Sequence, residues 1–374
     1  MTGNIRLAFL ADGESVHTKR WLRYFVGKGY DVHLITSTAK PMKGVKIHEL
    51  RFSLARNAYF RALVTFPLRV LKIRKKVKEI NPDVLHAQYI TNYGLCAALS
   101  GFHPLILSTW GSDIATDPES SRILRFFVEF ALKKADLVHT SDEVGRKRLI
   151  ELGCAPRKVF VQNWGVDANR FSPKARSQSL RRSLGIDDVY SVVCARYWKP
   201  QYRVDVFIKA VPLVLRKISD VKFILLGGGP LGPQLKELAR RLGVYEDIVF
   251  VGKVPEEEMS KYLASVDVYV DTASDTLVGR GGGGMGQTTR QVMACGTPHV
   301  LSDNINVKSA DWVQGLLYKQ LDHRDLAEKI VQLLKDEKLR RKIGEESRKV
   351  ALEICDLEKT MKQWETIYHK LRFY

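Results

Sequence analysis

The sequence predicts an α/β protein made of two doubly wound domains that face each other across a cleft. Short apolar runs alternate with amphipathic stretches of helical spacing, which is typical of parallel sheets covered by helices. A polar, basic stretch near residues 171–190 interrupts this alternation once, after which it restarts. The length of 374 residues also suits two domains.

The first domain is predicted to span residues 1–180. Its first strand is followed by the turn ADGESVHT, and then by a helix with Trp21, Leu22 and Phe25 on one face. The expected strands are Ile5–Leu10, Asp31–Thr36, Val84–Ala87, Leu105–Ser108, Leu137–Thr140 and Val159–Gln162.

The second domain is predicted to span residues 190–356. A final helix, about 357–374, is expected to return to the first domain. The expected strands are Ser191–Ala195, Lys222–Leu226, 248–251, 267–271 and 299–302.

A glycine-rich loop runs directly into a helix between residues 279 and 298. Six glycines lie within 279–286, and a helical pattern follows from Gln287 to Ala294. The first N–H groups of a helix have no partner within it, and the helix dipole places partial positive charge there. Because glycines leave those N–H groups accessible, the stretch predicts a seat for a phosphate or diphosphate. A mobile linker is the alternative interpretation.

Basic residues follow the first strand of the second domain, in the stretch RYWKPQYR. Arg196, Lys199 and Arg203 lie where ligands bind in open α/β sheets, at the carboxyl end of a strand. They predict a clamp for the same diphosphate, whereas ordinary surface charges are the alternative.

Strand ends of the first domain supply further candidates. Gly13 and Ser15 lie in the turn after the first strand, where they are predicted to contact the substrate; the alternative is a simple helix cap. His86 lies in the strand stretch DVLHAQ and is predicted to line the cleft with a catalytic role. A structural histidine is the alternative.

The stretch LLGGGPLG fits GxGxxG through Gly227, Gly229 and Gly232. A dinucleotide site would also need an acidic residue at the end of the next strand, and that strand ends at Gly252. The glycines therefore do not indicate a nicotinamide cofactor.

Composition narrows the possible partners. The formal net charge is +19, and residues 1–180 contribute 29 basic and 15 acidic side chains. This excess indicates an anionic partner: a nucleic acid, an anionic membrane or a phosphorylated substrate. The five cysteines are scattered without CxxC spacing, so we expect reduced thiols, a cytoplasmic setting and no metal site.

The segment 56–78 is predicted to bind an anionic membrane surface. It carries eight basic residues and no acidic one. Pro67 is expected to begin a helix, and Val70, Ile73 and Val77 follow at helical spacing. The alternative is that this apolar stripe packs on the domain's own sheet.

Several motifs in this order resemble those of a known enzyme family. WGVDANRFSP at 164–173, the turn LLGGGP, the segment 251–270 and MACGTP at 293–298 are similar to family-four glycosyltransferases. That resemblance runs nearly end to end. It implies the GT-B architecture, which consists of two Rossmann-like domains.

The resemblance also implies an activity and a set of site residues. Relatives transfer a sugar from a nucleotide sugar with retention, usually without metal or cofactor, and many act on lipid-linked acceptors at the membrane. Arg196 then corresponds to the diphosphate-binding arginine, and Gly13 to the loop near the donor's phosphates. The residues expected to bind the donor are Gly13, Ser15, Gly227, Gly229, Val254, Gly283, Gly284, Met285, Gly286, Gln287 and Gln291.

Two departures from the family pattern keep other functions open. The family's paired glutamates, eight residues apart, correspond here to Gly283 and Gln291. One alternative is therefore a catalytically inactive scaffold with the same fold. The other is a basic nucleic-acid-binding protein, although no RNA-binding signature is present and no nucleic acid is expected.

Overall fold

The computed structural model describes residues 5–50, 58–274, 286–308 and 313–373. The chain divides into two compact units. Unit 1 comprises the described residues up to 163 together with 361–373, and unit 2 comprises those between 164 and 360. Residues 164–180, which were predicted in the first domain, thus belong to unit 2.

Unit 1 contains a seven-stranded sheet in the order β3-β2-β1-β4-β5-β6-β7, with every pair parallel. The chain leaves β1 in one direction and resumes at β4 in the other, which makes the sheet doubly wound. The strands are β1 (Arg6–Leu10), β2 (Asp31–Thr36), β3 (Val45–Glu49), β4 (Val84–Gln88), β5 (Leu105–Ser108), β6 (Leu137–Thr140) and β7 (Val159–Val161).

Helices cover both faces of this sheet, because alternate strand residues point to opposite sides. Ala8 and Leu10 belong to a core that includes the helices from Ala58 to Glu151, whereas Phe9 packs against Phe25 and Tyr368 on the other side. The helices are α1 (Val16–Gly27), α2 (Ala58–Ile80), α3 (Leu95–Ser100), α4 (Ser112–Ala115), α5 (Asp117–Ser120), α6 (Arg122–Lys134) and α7 (Glu143–Glu151).

Unit 2 contains a six-stranded sheet in the order β10-β9-β8-β11-β12-β13, again parallel throughout. Its strands are β8 (Tyr190–Ala195), β9 (Val221–Leu226), β10 (Ile248–Gly252), β11 (Val268–Asp271), β12 (His299–Ser302) and β13 (Leu316–Tyr318). The chain reverses direction between β8 and β11, and this reversal is the switch point where ligands bind in such sheets.

The helices of unit 2 also form two layers. Val192 and Cys194 face one core, and Val193 and Ala195 face the other. The helices are α8 (Gln178–Ser183), α9 (Val204–Leu215), α10 (Gly232–Arg241), α11 (Met259–Ala264), α12 (Gln287–Cys295), α13 (Ile305–Lys308), α14 (His323–Lys335), α15 (Glu337–Ile354) and α16 (Leu357–Leu371). Helix α16 crosses the boundary, since its residues from Met361 onward belong to unit 1.

Two parallel sheets in two Rossmann-like units confirm the predicted fold class. One local prediction is wrong, because Pro67 lies inside α2 and the helix begins nine residues earlier at Ala58. A proline within a helix removes one hydrogen bond but does not prevent the turns on either side. Among the described residues, no helix is both long enough and apolar enough to cross a bilayer.

Candidate active site

A buried ion pair lies at the switch point of unit 2. Arg196 follows β8 directly, and Asp271 is the last residue of the neighbouring strand β11. The Arg196 Nε donates a hydrogen bond of 2.9 Å to Asp271 Oδ1, and Nη2 contacts Oδ2. The two side chains are only 11% and 4% exposed, so this guanidinium is held in one orientation.

The same guanidinium lies against the beginning of α12. Gly286 is the N-cap of that helix, and no side chain of the described residues caps it. A Cβ built on Gly286 would lie 2.5 Å from Arg196 Nη1, so only glycine fits this position without displacing the arginine. The first-turn N–H groups and the helix dipole add to the positive potential of the guanidinium. Positive potential at a helix start is the feature that attracts phosphates in proteins, so this is the candidate anion site of unit 2.

The carboxylate of Asp271 is itself fixed by neighbours. Thr289, in the first turn of α12, donates from Oγ1 to Asp271 Oδ2 at 2.8 Å. The backbone N–H of Ala273 donates to Oδ1 at 3.0 Å. Sequence reasoning missed both Asp271 and Thr289, because their role depends on contacts with residues far away in the chain.

The glycines of the LLGGGPLG turn shape the backbone around Arg196. Gly227 and Gly229 have φ angles of +118° and +154°, which other residues rarely adopt. A Cβ on Gly227 would lie 2.0 Å from the Arg196 carbonyl oxygen, and one on Gly229 2.6 Å from that of Trp198. Close backbone packing therefore accounts for these glycines, and the turn supports the segment that carries Arg196.

The other two predicted clamp residues differ in how they are placed. Lys199 is exposed, and its ammonium lies 5.1 Å from the centre of the Tyr197 ring. Arg203 instead pairs with Asp205 through bonds of 3.0 and 3.1 Å, and this pairing raises the pKa of Arg203. Arg196 and Arg203 thus pair with a carboxylate through the same two nitrogens, so pairing alone does not separate them, and the diphosphate-binding role of Arg203 stays a prediction.

The remaining predicted donor residues of unit 2 lie at or near α12. Gly283, Gly284 and Met285 fall outside the described residues. Gln287 donates from Nε2 to the Gly165 carbonyl at 2.7 Å, so its side chain holds the backbone. Gln291 is buried, with 5% of its surface exposed. Val254 is half-buried and packs against one core of unit 2.

In unit 1, packing explains the two residues predicted in the first turn. The Gly13 N–H donates to Thr36 Oγ1 at 3.1 Å, and a Cβ on Gly13 would lie 2.5 Å from that of Ala39. Ser15 is the N-cap of α1 and accepts a bond from the Thr18 N–H at 3.5 Å. The simple capping role, which was the alternative interpretation, is the one observed for Ser15.

His86 is enclosed in the core of unit 1. Its Nδ1 lies 2.6 Å from the Tyr368 hydroxyl and its Nε2 lies 2.7 Å from Ser108 Oγ, while the Trp364 ring stacks on it. The side chain is 0% exposed, and burial lowers its pKa well below the usual value. The predicted catalytic role is therefore contradicted, because neither nitrogen can reach a substrate.

At the strand ends of unit 1, another group of polar and aromatic side chains does converge. Thr18 Oγ1 donates to Gln88 Oε1 at 2.9 Å, and the His17 and Trp110 rings meet edge to face at 5.5 Å. Asp113 accepts bonds from three backbone N–H groups and fixes the turn at Trp110. Burial raises the pKa of Asp113 to about 6.

Two family models match the chain. One is described as "Glycosyl transferase 4-like" and matches residues 6–142, and the other, "Glycosyl transferases group 1", matches residues 177–350. The chain belongs to glycosyltransferase family four. It is therefore a glycosyltransferase by family, and its two matched regions contain strands β1 to β6 and β8 to β13.

Relatives of this glycosyltransferase extend over most of its length. It is 25% identical over 362 residues to N-acetyl-alpha-D-glucosaminyl L-malate synthase of Bacillus anthracis, covering 91% of this chain and 90% of the relative. It is 26% identical over 292 residues to a GDP-mannose-dependent alpha-(1-6)-phosphatidylinositol monomannoside mannosyltransferase of Mycolicibacterium smegmatis, covering 75% of each.

Solved structures share the fold of this glycosyltransferase. HepE of Anabaena, in complex with UDP, matches with a TM-score of 0.80 at 19% identity, covering 98% of this chain and 100% of that one. A glycosyltransferase from Rickettsia africae also matches with a TM-score of 0.80, at 16% identity. At these identities the likeness shows the architecture alone, and it agrees with the predicted GT-B fold.

Proposed function

We propose that this glycosyltransferase moves a sugar from a nucleotide diphosphate sugar to a lipid-linked or glycan acceptor, with retention and without a metal ion. The observation that carries the proposal is the Arg196 guanidinium held against the start of α12. Among the relatives, the mannosyltransferase is named for GDP-mannose as donor and for a phosphatidylinositol mannoside as acceptor.

The chemistry of transfer suits this candidate anion site. The bond between the anomeric carbon and the diphosphate oxygen breaks, so negative charge develops on the leaving diphosphate. Arg196 and the first N–H groups of α12 are oriented to stabilise that charge before the reaction begins. Their contribution substitutes for the role that a divalent cation plays at other diphosphate sites.

Retention follows if the acceptor attacks the face from which the diphosphate leaves. In that geometry the leaving phosphate oxygen takes the acceptor's proton as the new bond to the anomeric carbon forms. No protein base is then needed, which is compatible with the enclosed position of His86. Lys199, which is exposed beside Arg196 in the chain, remains a proposed contact for the diphosphate.

The surface of unit 1 supports the proposal of a lipid-linked acceptor. In α2, Ile73 and Val77 are buried in the core, so the predicted apolar stripe packs on the sheet. On the opposite side of α2, however, Leu71 has 60% of its surface exposed. On α6, Ile123 and Phe126 are 66% and 63% exposed.

Both helices pack against α3 and carry exposed basic residues. These are Lys72, Arg74, Lys75 and Lys78 on α2, and Arg122, Lys133 and Lys134 on α6. Exposed aromatic and aliphatic side chains flanked by positive charge suit the interface of an anionic bilayer. We therefore propose that unit 1 binds peripherally to the cytoplasmic face of the membrane, through α2 and α6, where a lipid-linked acceptor is found.

Calorimetric titration with UDP and GDP tests the site. The parent should bind at least one of the two, and Arg196→Ala should weaken that binding by about 10- to 100-fold, the value of a charge-assisted hydrogen bond. Neither binding nor transfer should change in EDTA. Equal affinity of Arg196→Ala and the parent would exclude the proposed site, and activity lost in EDTA and restored by manganese would exclude metal-independence.

The replacement of the family's glutamates by Gly283 and Gln291 favours a second candidate, an inactive scaffold. The two functions differ in turnover. A scaffold would bind the nucleotide yet release no nucleoside diphosphate from any nucleotide sugar, whereas an enzyme would release it when an acceptor-containing membrane extract is added. A screen of UDP- and GDP-sugars with this readout separates the two candidates.

A further inference from the structure

The buried carboxylate of Asp271 accepts hydrogen bonds from four described donors. It accepts from Arg196 Nε and Nη2, from the Thr289 hydroxyl and from the Ala273 N–H. The residue is 3% exposed. Buried charges are stable only when they are paired and hydrogen-bonded. The four donors therefore stabilise the ionised Asp271 carboxylate and fix its orientation.

This pairing determines which edge of the arginine faces the candidate site. Asp271 occupies the Nε and Nη2 edge, so the Nη1 and Nη2 edge faces Gly286, where a Cβ would lie 2.5 Å from Nη1 and 2.8 Å from Nη2. The start of a helix repels a cation, because the dipole is positive there. Arg196 therefore needs a fixed counter-charge to stay at this position when no anionic ligand is bound.

Thr289 links the start of α12 to the Asp271 carboxylate through two hydrogen bonds. Thr289 lies three residues after Gly286 and its N–H donates to the Gly286 carbonyl at 3.0 Å. Its hydroxyl donates to Asp271 Oδ2 at 2.8 Å. The helix start, the carboxylate and the guanidinium are thus held relative to one another by consecutive hydrogen bonds.

We propose that Asp271 is a positioning residue that orients Arg196 for the donor's diphosphate and so makes the site prefer nucleoside diphosphates over monophosphates. This inference rests on the proposed nucleotide-sugar function. Asp271 does not touch the donor; it acts by holding Nη1 and the outer edge of Nη2 where the second phosphate binds. Preorganised donors lose less conformational entropy on binding than an arginine that must be ordered by its ligand.

The test compares affinities for UDP and UMP, and for GDP and GMP, by calorimetry. Asp271→Asn keeps the shape of the side chain but removes the charge and one acceptor. We expect it to weaken diphosphate binding by about 10- to 100-fold while monophosphate binding changes little. Adding Asp271→Asn to Arg196→Ala should cause no further loss, since Asp271 acts through Arg196.

Two further variants separate positioning from general damage to the fold. Thr289→Val removes the hydroxyl but keeps the volume and the Asp271 charge, and should reduce the diphosphate preference several-fold, whereas Thr289→Ser should retain it. Asp267→Asn is the matched control. Asp267 precedes the same strand, accepts from the Ser191 N–H at 2.9 Å and lies 3.6 Å from Arg181. It should change stability but leave the preference intact.

Each outcome decides one question. If Arg196→Ala loses diphosphate binding while Asp271→Asn binds as tightly as the parent, or more tightly, the inference is overturned and the proposed function stands. If the parent binds neither diphosphate, or Arg196→Ala binds like the parent, the proposed function fails and the inference fails with it. Should Asp271→Asn not fold, an unchanged preference in Thr289→Val overturns the inference.

Discussion

Replacing Gly286 with alanine should weaken nucleotide binding without unfolding the protein. The added methyl group would lie 2.5 Å from Arg196 Nη1, 2.8 Å from Nη2 and 3.1 Å from Cζ. Contacts between such atoms are comfortable only at about 3.5 Å, so the guanidinium must move by roughly 1 Å. Because Asp271 holds the other edge of the guanidinium, that movement takes Nη1 away from the start of α12.

The backbone itself tolerates the change. Gly286 has φ −53° and ψ 147°, a conformation open to alanine, and substitution also reduces the entropy of the unfolded chain. The loss of glycine as N-cap opposes this by less than about 1 kcal/mol. We therefore expect a small change in the free energy of unfolding, but a loss of about 1.5–3 kcal/mol in diphosphate binding, which corresponds to about 10- to 100-fold.

Calorimetry with UDP and GDP measures the binding, and urea unfolding measures the stability. Gly27→Ala is a matched control, since no described atom lies within 4 Å of a Cβ at that position. It should leave binding unchanged. If Gly286→Ala binds nucleotide as tightly as the parent while Arg196→Ala does not, the approach of Nη1 to the helix start is not part of the site.

Two more predictions concern membrane binding and pH. Changing Arg74, Lys75 and Lys78 to glutamate should abolish sedimentation with anionic liposomes at low salt and leave UDP and GDP affinity unchanged, because the exposed positive charge of α2 attracts the anionic lipids. Burial lowers the pKa of both His139 and His299 to about 4. Below pH 6.5 the unfolded chain therefore binds protons that the folded chain does not, and the free energy of unfolding should fall toward pH 4, by about 1.4 kcal/mol per pH unit for each histidine.

The controls for these two predictions lie elsewhere in the chain. Glutamate at Lys338, Arg341 and Lys342, which are exposed on α15 of unit 2, makes the same charge change away from α2 and should not affect sedimentation. Liposome binding that is equal in both triple variants would contradict the assignment to α2. For pH, His299→Gln should flatten the dependence, as measured by urea unfolding between pH 7 and pH 5; an unaltered slope would show that His299 titrates normally.

Most of the fold follows from local sequence, because buried parallel strands are continuous apolar runs. Asp31–Thr36 and Leu105–Ser108 form strands with the bounds predicted for them. The strands that escaped prediction are edge strands. Val45–Glu49 alternates apolar with polar residues and is partly exposed along its length, and Leu316–Tyr318 has only three residues. Neither has the continuous apolar pattern of the central strands.

The site is less predictable, because a strand end shows where ligands bind but not which side chains can reach them. His86 lies within β4, whereas Arg196 directly follows β8, and helix α16 covers His86 with Trp364 and Tyr368, almost 300 residues later in the chain. Arg196 stays at the candidate site and is 11% exposed. A sequence pattern cannot distinguish the two, since the difference lies in packing between distant segments.

The role of a charged side chain likewise depends on the residues around it, as Arg203 and Arg196 show. Arg203 pairs through Nε and Nη2 with Asp205, two residues later, a contact that the sequence could have suggested. Arg196 is also paired, but its partner Asp271 leaves Nη1 directed at the start of α12. The two ion pairs use the same guanidinium nitrogens, so what distinguishes Arg196 is that its guanidinium lies against the start of α12, where we propose that the diphosphate binds. Counting the basic residues near a strand end therefore identifies an anion site poorly. A better indication is where each guanidinium directs the nitrogens that its carboxylate partner does not bind.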